Sequence, residues 1–218
     1  MAAGRGSRMM PFTAALPKAM APYDQSTLIA QGIRAIGQYV PNIYVTVGYM
    51  GNVLSEHVIS QGVCGLFDTS GRDNAWWIFN TLMSHLDEPV YVLTCDNVVS
   101  LNFSLIEEDY YRLNEPACMV VPVKPVAGLD GDYITHVDNV VTMLSRDCPT
   151  NSYCSGIQVL NPYKITQMIP SQDSFYRVWN HLISHRQLKC SSVYPEKWFV
   201  ADTLEQLSAI PPLSAINQ

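Results

Sequence analysis

Positive charge is scarce in this sequence, which has 13 lysines and arginines against 19 aspartates and glutamates and a formal net charge of -6. Binding along a nucleic-acid backbone needs an excess of basic residues, so no nucleic-acid partner is expected. Long apolar runs are also missing, and no stretch approaches the roughly 20 residues that cross a bilayer. Glycine, serine and arginine interrupt the first residues before an apolar segment forms, so we expect no secretion signal, no membrane partner and a cytoplasmic location.

Several catalytic and metal-binding motifs are absent as well. The six cysteines form no C-x-x-C pair, which favours free, buried thiols in a reducing compartment over disulfides or a zinc site. The histidines form no H-E-x-x-H arrangement, and a solvated helix face is the favoured interpretation of His181 and His185. No G-x-S-x-G elbow is present, so a serine hydrolase is not expected.

Helical and β-rich patterns alternate in the first 95 residues, which is typical of an α/β fold with a mixed, mostly parallel sheet flanked by helices. The segments after residue 105 are richer in β-forming residues, and we interpret them as an extension of the sheet. Helices are predicted over 26–38, 51–60, 74–86 and 171–186 and from Thr203, and strands over 42–47, 63–67, 89–95, 117–122, 133–137, 140–144, 153–160 and 190–194.

Glycines, cations and prolines are combined in the segments Ala2–Thr13 and Leu16–Met20. Glycines let backbone N–H groups approach phosphate oxygens closely. Arg8 offers a planar fork of donors, and Lys18 offers a compact cation. The segment is not a Walker A loop, and it lacks the third glycine of a dinucleotide fingerprint. Only three residues precede Gly4, so we expect either a first strand that is almost missing or a start that lies further upstream.

The spacing of these residues resembles the signature G-x-G-x-R-x-x-P-x-T-x-x-x-P-K of the sugar-phosphate nucleotidyltransferases. The resemblance implies a Rossmann-like, GT-A-like fold and a reaction of a nucleoside triphosphate with a sugar 1-phosphate that releases pyrophosphate, with Mg²⁺ as cofactor. It implies one domain over 1–218, with a nucleotide-binding half at 1–105 and an acceptor-binding half at 106–218. Arg8 and Lys18 would be catalytic, and the nucleotide would be bound by Ala2, Ala3, Gly4, Arg5, Gly6 and Ser7.

Two aspartates are candidate metal ligands. Asp96 follows an apolar strand, where a hard carboxylate suits Mg²⁺ and where the sequence resembles the family's G-D-N strand end. The alternative for Asp96 is a turn that ends the strand. Asp202 lies in a segment that resembles the family's W-x-D ending, which implies a second metal carboxylate. The alternative for Asp202 is a cap on the last helix, with Glu205 completing the cap.

The remaining candidate residues lie in three segments. Gly71 and Asn74 lie just before a helix, at the place where the family recognises the base of the nucleotide. A plain loop and helix start explains these two residues equally well. Trp76 and Trp77 are interpreted as core residues, because adjacent helical side chains face different ways. Resemblance to the family's sugar-side turn and S-G-I strand implies acceptor binding by Gly131, Asp132, Ser155 and Gly156, and Arg146 stands near the place of the family's E-K-P segment.

Alternatives to this reaction remain open. One keeps the fold and changes the acceptor to phosphocholine or a similar phosphorylated alcohol, with CTP as the nucleotide, because the E-K-P segment is absent and aromatic faces such as those of Trp76 and Trp77 can hold quaternary ammonium groups. A GTP-dependent enzyme acting on heptose or mannose 1-phosphate is equally admissible. Another is a non-catalytic relative that binds nucleotide sugars, which is favoured by the few residues before Gly4 and by Val200 at a position that is often acidic in the family. The sequence is also compatible with a homodimer.

Overall fold

The computed structural model describes residues 1–126, 131–212 and 215. Its strands are β1 (Pro22–Tyr23), β2 (Ser26–Thr27), β3 (Tyr44–Val47), β4 (Gly65–Asp68), β5 (Val90–Val92), β6 (Asn97–Ser100), β7 (Cys118–Val120), β8 (Tyr133–Val137), β9 (Val140–Ser145), β10 (Gln158–Leu160), β11 (Leu188–Cys190) and β12 (Lys197–Val200). Its α-helices are α1 (Leu28–Gly37), α2 (Gly51–Ser60), α3 (Trp76–Asn80), α4 (Phe103–Arg112), α5 (Pro162–Met168), α6 (Phe175–Ser184) and α7 (Leu204–Ala209). Short 3₁₀ turns cover Ser7–Met9, Phe12–Ala14, Lys18–Met20 and Leu82–His85.

The chain divides into two compact units, each built from separated segments. Unit 1 consists of Met1–Arg72, Thr94–Ser100 and Lys197–Gln218. Unit 2 consists of Asp73–Leu93 and Leu101–Glu196. Each unit therefore takes residues from both sides of position 105.

The first residues of unit 1 run beside β3. Ala2 donates its backbone N–H to the Thr46 carbonyl at 3.2 Å, and the Ala3 carbonyl accepts from Tyr49 N–H at 3.0 Å. A β-carbon on Gly48 would lie 2.8 Å from the Ala3 carbonyl oxygen, so a glycine is needed where the two segments pass. β3 in turn pairs with β4 in parallel.

The helices of unit 1 cover these strands with apolar faces. α1 is capped by Thr27, whose side chain accepts from the Ala30 N–H, so the helix begins two residues later than the predicted start at Ser26. Ser26 instead belongs to β2. The core between the helices and strands contains Ala2, Ala19, Ile29, Ile33, Val45, Val47, Leu54 and Val58.

A second cluster in unit 1 packs around the antiparallel pair β6–β12. Its buried members are Met9, Ala21, Tyr23, Leu28, Val98 and Ala201. Met9 is fully buried, so the chain is anchored in the core three residues after Gly6.

Unit 2 contains a six-stranded sheet in the order β5-β10-β7-β11-β9-β8. β10 is antiparallel to both β5 and β7, whereas β7 and β11 are parallel. β9 is antiparallel to β11 and to β8. Consequently β5, β7, β11 and β8 share one direction, and the predicted α/β class with a mixed sheet is confirmed.

Two helices of unit 2 are missing from the sequence-based prediction. α4 places Asp109 on its buried face beside Ile106 and Tyr110, which interrupts the apolar periodicity. α5 has seven residues, and only Pro162 and Ile165 of these are buried. Both patterns are too weak to indicate a helix.

Other predicted elements are shorter than expected. The predicted helix over 74–86 breaks at Thr81, whose side chain accepts from Met83 N–H and starts a 3₁₀ turn. The predicted strand over 153–160 is reduced to β10, and Tyr153 forms only isolated bridges to Val123 and Tyr133. The sequence Gly-Leu-Asp-Gly at 128–131 also predicts a turn, and it lies mostly outside the described residues. Among those that are described, no helix has the length and apolar character to cross a membrane.

Candidate active site

The glycine loop of unit 1 is held by contacts of its own residues. Gly6 has φ +63°, in the left-handed region that favours glycine. Its carbonyl oxygen accepts from Met9 N–H at 2.9 Å and from the buried Thr13 hydroxyl at 3.1 Å. The Tyr49 hydroxyl donates to the Thr13 carbonyl at 2.8 Å, which ties the loop to the segment after β3.

Gly6 lies directly against the side chain of Lys18. A β-carbon on Gly6 would be 2.6 Å from Lys18 Cβ and 3.0 Å from its Cδ. Because real β-carbons do not approach other atoms this closely, the second glycine is required by the lysine beneath it. Lys18 is correspondingly buried, with 10% of its side chain exposed.

The Lys18 ammonium lies between two carboxylates of unit 1. Its Nζ donates to Asp96 Oδ2 at 2.8 Å and to Asp202 Oδ1 at 2.7 Å. These residues are separated by 78 and 184 positions from Lys18 in the sequence. The structure therefore brings together three of the residues that the sequence singles out as catalytic or metal-binding.

The two aspartates are positioned by the pairing of β6 with β12. Asn97 is opposite Val200 in this pair, so Asp96 and Ala201 lie at the same end. Ala201 N–H donates to the Asp96 carbonyl at 2.9 Å, which fixes the two segments next to each other.

Asp202 does not cap the last helix. Thr203 is the cap residue of α7, and its hydroxyl accepts from the Gln206 N–H. The Gln206 Oε1 in turn accepts hydrogen bonds from the N–H groups of Thr203 and Asp202, which completes a capping box. The capping alternative with Asp202 and Glu205 is therefore wrong, and the Asp202 carboxylate faces Lys18 instead.

The surroundings of Lys18 and Asp96 favour the charged form of each side chain. Burial disfavours the charge on Lys18, but Asp96 and Asp202 outweigh it and raise the pKa of the lysine. Burial likewise disfavours ionised Asp96, but the Lys18 charge, with hydrogen bonds from Lys18 and Thr94, lowers the pKa of this carboxyl. The ammonium and the carboxylate therefore form a stable ion pair at neutral pH.

Arg8 adds a second cation at the rim of the cluster. Its Nη2 is 3.1 Å from Asp202 Oδ1, and 58% of its side chain is exposed. Two carboxylates and two cations make the cluster formally neutral. Since Arg8 is exposed and Lys18 is buried, the arginine is the cation that can reach an incoming anion with the least rearrangement.

The chemistry of Asp96 and Asp202 fits a magnesium ion. One oxygen of each carboxylate converges on a single cation, the Lys18 ammonium. No group of three or more potential metal-ligating side chains was found among the described residues. Mg²⁺ in nucleotide sites takes only one or two carboxylates, however, and completes its octahedron with substrate phosphates and water.

The other loop residues predicted to bind nucleotide have different surroundings. The Ala2 N–H and the Ala3 carbonyl already pair with Thr46 and Tyr49, respectively. A β-carbon on Gly4 would meet nothing within 4 Å, so the loop is open at that residue. The Arg5 guanidinium lies 5.5 Å from the centre of the Tyr49 ring. Ser7 opens the first 3₁₀ turn.

The predicted base-reading residues lie in different units. Gly71 belongs to unit 1 and has φ +70°. Asn74 belongs to unit 2, where its Oδ1 accepts from Phe175 N–H at 2.8 Å. This bond gives Asn74 a structural task at the start of α6, and its contact with a base stays a prediction. Trp77 is buried against Phe175, as expected of a core residue.

A cleft of about 490 Å³ in unit 1 was not predicted from the sequence. It lies at the carboxyl ends of β3 and β4 and at the start of α2, and its lining includes Gly48, Asn52, Asp68 and Ser70. Hydrogen bonds from Ser70 lower the pKa of Asp68, so this carboxyl is ionised at neutral pH. The sequence signal for this cleft is the position of Asp68 at the end of a parallel strand, because ligands of such sheets bind beyond the carboxyl ends of the strands.

The predicted acceptor-binding residues come together within unit 2. Cys154 N–H donates to the Asp132 carbonyl at 2.9 Å, and a β-carbon on Gly131 would overlap the Tyr153 hydroxyl. Ser155 and Gly156 follow directly, and Gly156 has φ +85°. Arg146 comes one residue after Ser145, which is opposite Tyr133 in the β8–β9 pair. These residues therefore occupy neighbouring positions at one end of β8 and β9.

Comparisons of the sequence with known proteins find limited similarity. No family model matches the chain. The curated protein named "Bifunctional protein GlmU" from Methanococcus aeolicus is 24% identical over 109 residues, which is 50% of this chain. The match spans about a quarter of that relative, since it covers 26% of its length.

Similarity to solved structures extends over nearly the whole chain. The inositol-1-phosphate CTP transferase from T. maritima superposes with a TM-score of 0.75 at 17% identity, covering 95% of this chain and 89% of the other. The CTP:phosphocholine cytidylyltransferase from Streptococcus pneumoniae has a TM-score of 0.71 at 19% identity, covering 95% and 93%. An apo UDP-glucose pyrophosphorylase has a TM-score of 0.70 at 15% identity, covering 94% and 93%. The chain therefore has the fold of the sugar-phosphate nucleotidyltransferases.

Proposed function

We propose that this chain is a nucleotidyltransferase that couples a nucleoside triphosphate to a sugar 1-phosphate, giving a nucleoside diphosphate sugar and pyrophosphate. The observation that carries the proposal is the cluster of Lys18, Asp96 and Asp202 beneath the glycine loop. Two carboxylates, a buried lysine and open backbone at Gly4 are the groups that a triphosphate with its metal ion requires.

The proposed reaction is a single in-line displacement. A phosphate oxygen of the acceptor attacks the α-phosphorus, the bond from the α-phosphorus to the bridging α,β-oxygen breaks, and pyrophosphate leaves with that electron pair. No covalent intermediate with the protein is needed, so positioning and charge neutralisation are the main contributions of the protein.

Each residue of the cluster has a distinct proposed task. Arg8 binds the phosphate oxygens that gain charge during the displacement, because its exposed guanidinium can turn from Asp202 to an anion. Lys18 neutralises phosphate from below the loop, and Asp96 and Asp202 hold the metal. When bound, Mg²⁺ would neutralise charge on the triphosphate and orient it.

Phosphocholine or a similar phosphorylated alcohol, with CTP, is the second candidate acceptor. The structural relatives named for phosphocholine and inositol 1-phosphate support it, as does the absence of the family's E-K-P segment near Arg146. Trp77 is buried in the core, so it does not offer a face to a quaternary ammonium group. The free state of all six cysteines agrees with the proposed cytoplasmic location.

A pyrophosphate-release assay tests the proposal. The protein is incubated with Mg²⁺, each common nucleoside triphosphate, and a panel of sugar 1-phosphates with phosphocholine and inositol 1-phosphate. Release that requires one particular pair would establish the reaction and identify both substrates. Nucleotide-sugar binding without pyrophosphate release, in folded protein, would favour the non-catalytic alternative.

A further inference from the structure

The position taken by the Lys18 ammonium is the one that a divalent cation would need. Nζ lies 2.8 Å from Asp96 Oδ2 and 2.7 Å from Asp202 Oδ1. An ion bound to both of these oxygens would sit a few ångströms from Nζ, and like charges at that distance repel strongly in a partly buried site. The ammonium and the metal therefore compete for the same pair of carboxylates.

The lysine cannot withdraw into solvent without cost. Its stem is packed under the loop, since a β-carbon on Gly6 would touch Lys18 Cβ, Cγ and Cδ within 3.2 Å. Only 10% of the side chain is exposed. A buried ammonium that loses its carboxylates needs another anion within reach, because an unpaired buried charge is strongly unfavourable.

We propose that Lys18 is an internal counter-ion that keeps divalent metal out of the site until the phosphates of a nucleotide take over the ammonium. The triphosphate supplies the anion that Lys18 needs, and its arrival frees Asp96 and Asp202 for the metal. Metal and nucleotide therefore bind cooperatively, and each raises the affinity for the other by the same factor. The inference rests on the proposed function, because it takes the two aspartates as the metal ligands.

The substitution Lys18→Met tests this mechanism, since it keeps the length of the stem and removes the charge. Mn²⁺ is the probe, and its free concentration is followed by electron paramagnetic resonance without any nucleotide. We expect Lys18→Met to bind Mn²⁺ at least about tenfold more tightly than the wild type, because the two carboxylates then have only the exposed Arg8, which contacts Asp202, as a counter-ion.

Two further variants define the site and the control. Lys197→Met removes the same charge from β12, where Nζ donates to the Ala215 carbonyl, so it should leave Mn²⁺ affinity unchanged. Adding Asp96→Asn to Lys18→Met should abolish the gain. Mn²⁺ affinity in Lys18→Met that equals or falls below that of the wild type would overturn the proposal.

Wild-type protein gives an independent answer if Lys18→Met does not fold. Without nucleotide, Mn²⁺ should leave its thermal unfolding temperature unchanged, because metal that does not bind the native state cannot stabilise it. The mechanism would be contradicted by three findings together. These are that the wild type binds Mn²⁺ without nucleotide, that Asp96→Asn removes this binding, and that nucleotide does not strengthen it. These measurements need no turnover, so they separate a failed counter-ion mechanism from a failed assignment of the reaction.

Discussion

The two glycines of the loop should respond differently to the same added methyl group. In Gly6→Ala the new β-carbon would lie 2.6 Å from Lys18 Cβ, and the residue would keep φ near +63°. The left-handed conformation costs a non-glycine residue about 1–2 kcal/mol. Displacing the packed lysine adds about 1–3 kcal/mol, so we expect Gly6→Ala to lower the free energy of unfolding by about 2–5 kcal/mol.

Gly4→Ala is the matched control for stability. Its β-carbon would meet nothing within 4 Å, so we expect a change in the free energy of unfolding of less than about 0.5 kcal/mol. Its effect should instead appear in weaker nucleotide binding, because the methyl group occupies the open side of the loop.

Urea denaturation of the two variants and the wild type measures both effects, with nucleotide affinity determined separately. The Gly6→Ala variant should also show weakened binding, because Lys18 is displaced from Asp96 and Asp202. Equal stability of the two variants, or a Gly6→Ala loss below about 0.5 kcal/mol, would refute the close contact between the loop and the lysine.

Three further results are expected. Arg8→Ala should lower kcat by about 10²–10³-fold, because the arginine stabilises charge in the transition state. The unfolding temperature should stay nearly unchanged because the Arg8 side chain is exposed, and near-normal turnover would show that Arg8 is not part of the mechanism. The lowered pKa of Asp96 contributes stability that is lost as the pH falls below about 4, and the raised pKa of Lys18 contributes stability that is lost above about pH 10.5. In urea midpoints measured across pH, Lys18→Met should lack the loss above about pH 10.5, and its Asp96 should no longer lose stability in acid, because burial without the lysine charge raises the pKa of this carboxyl. An unchanged profile would argue against the ion pair. Gly32→Ala, in the interior of α1 with open space around the added carbon, should stabilise the protein by about 0.5–1 kcal/mol in urea titrations, and a loss of stability would show that the helix is crowded there.

The sequence was sufficient to predict those helices and strands that are determined by local chemistry. α2 and β8 have the predicted bounds, and β3 ends at Val47, before Gly48, as its β-rich pattern indicates. The α/β class follows from this alternation of patterns. The sequence left open either an almost missing first strand or a start further upstream, and in the structure Ala2 and Ala3 form hydrogen bonds with the segment from Thr46 to Tyr49.

Contacts between residues far apart in the chain could not be predicted from the sequence alone. Asp202 has two equally good interpretations in sequence, and only the capping box of Thr203 with Gln206 shows that its carboxylate is available to Lys18. The need for Gly6 is likewise visible only once Lys18 is packed under it. α4 was missed because its buried Asp109 accepts from Ser191, 82 residues further along the chain, so a polar residue occupies a core position.

Following the α-phosphate of the nucleoside triphosphate into the products tests the proposed reaction most directly. The protein is given a nucleoside triphosphate labelled with ³²P at the α-position, together with the acceptor that supports pyrophosphate release, and the products are separated by chromatography. We predict that the label appears in the acceptor product, that the pyrophosphate is unlabelled, and that neither forms without the acceptor. Label that appears only in a nucleoside monophosphate would show hydrolysis and contradict the proposed transfer, as would the absence of any labelled product from folded protein across the panel.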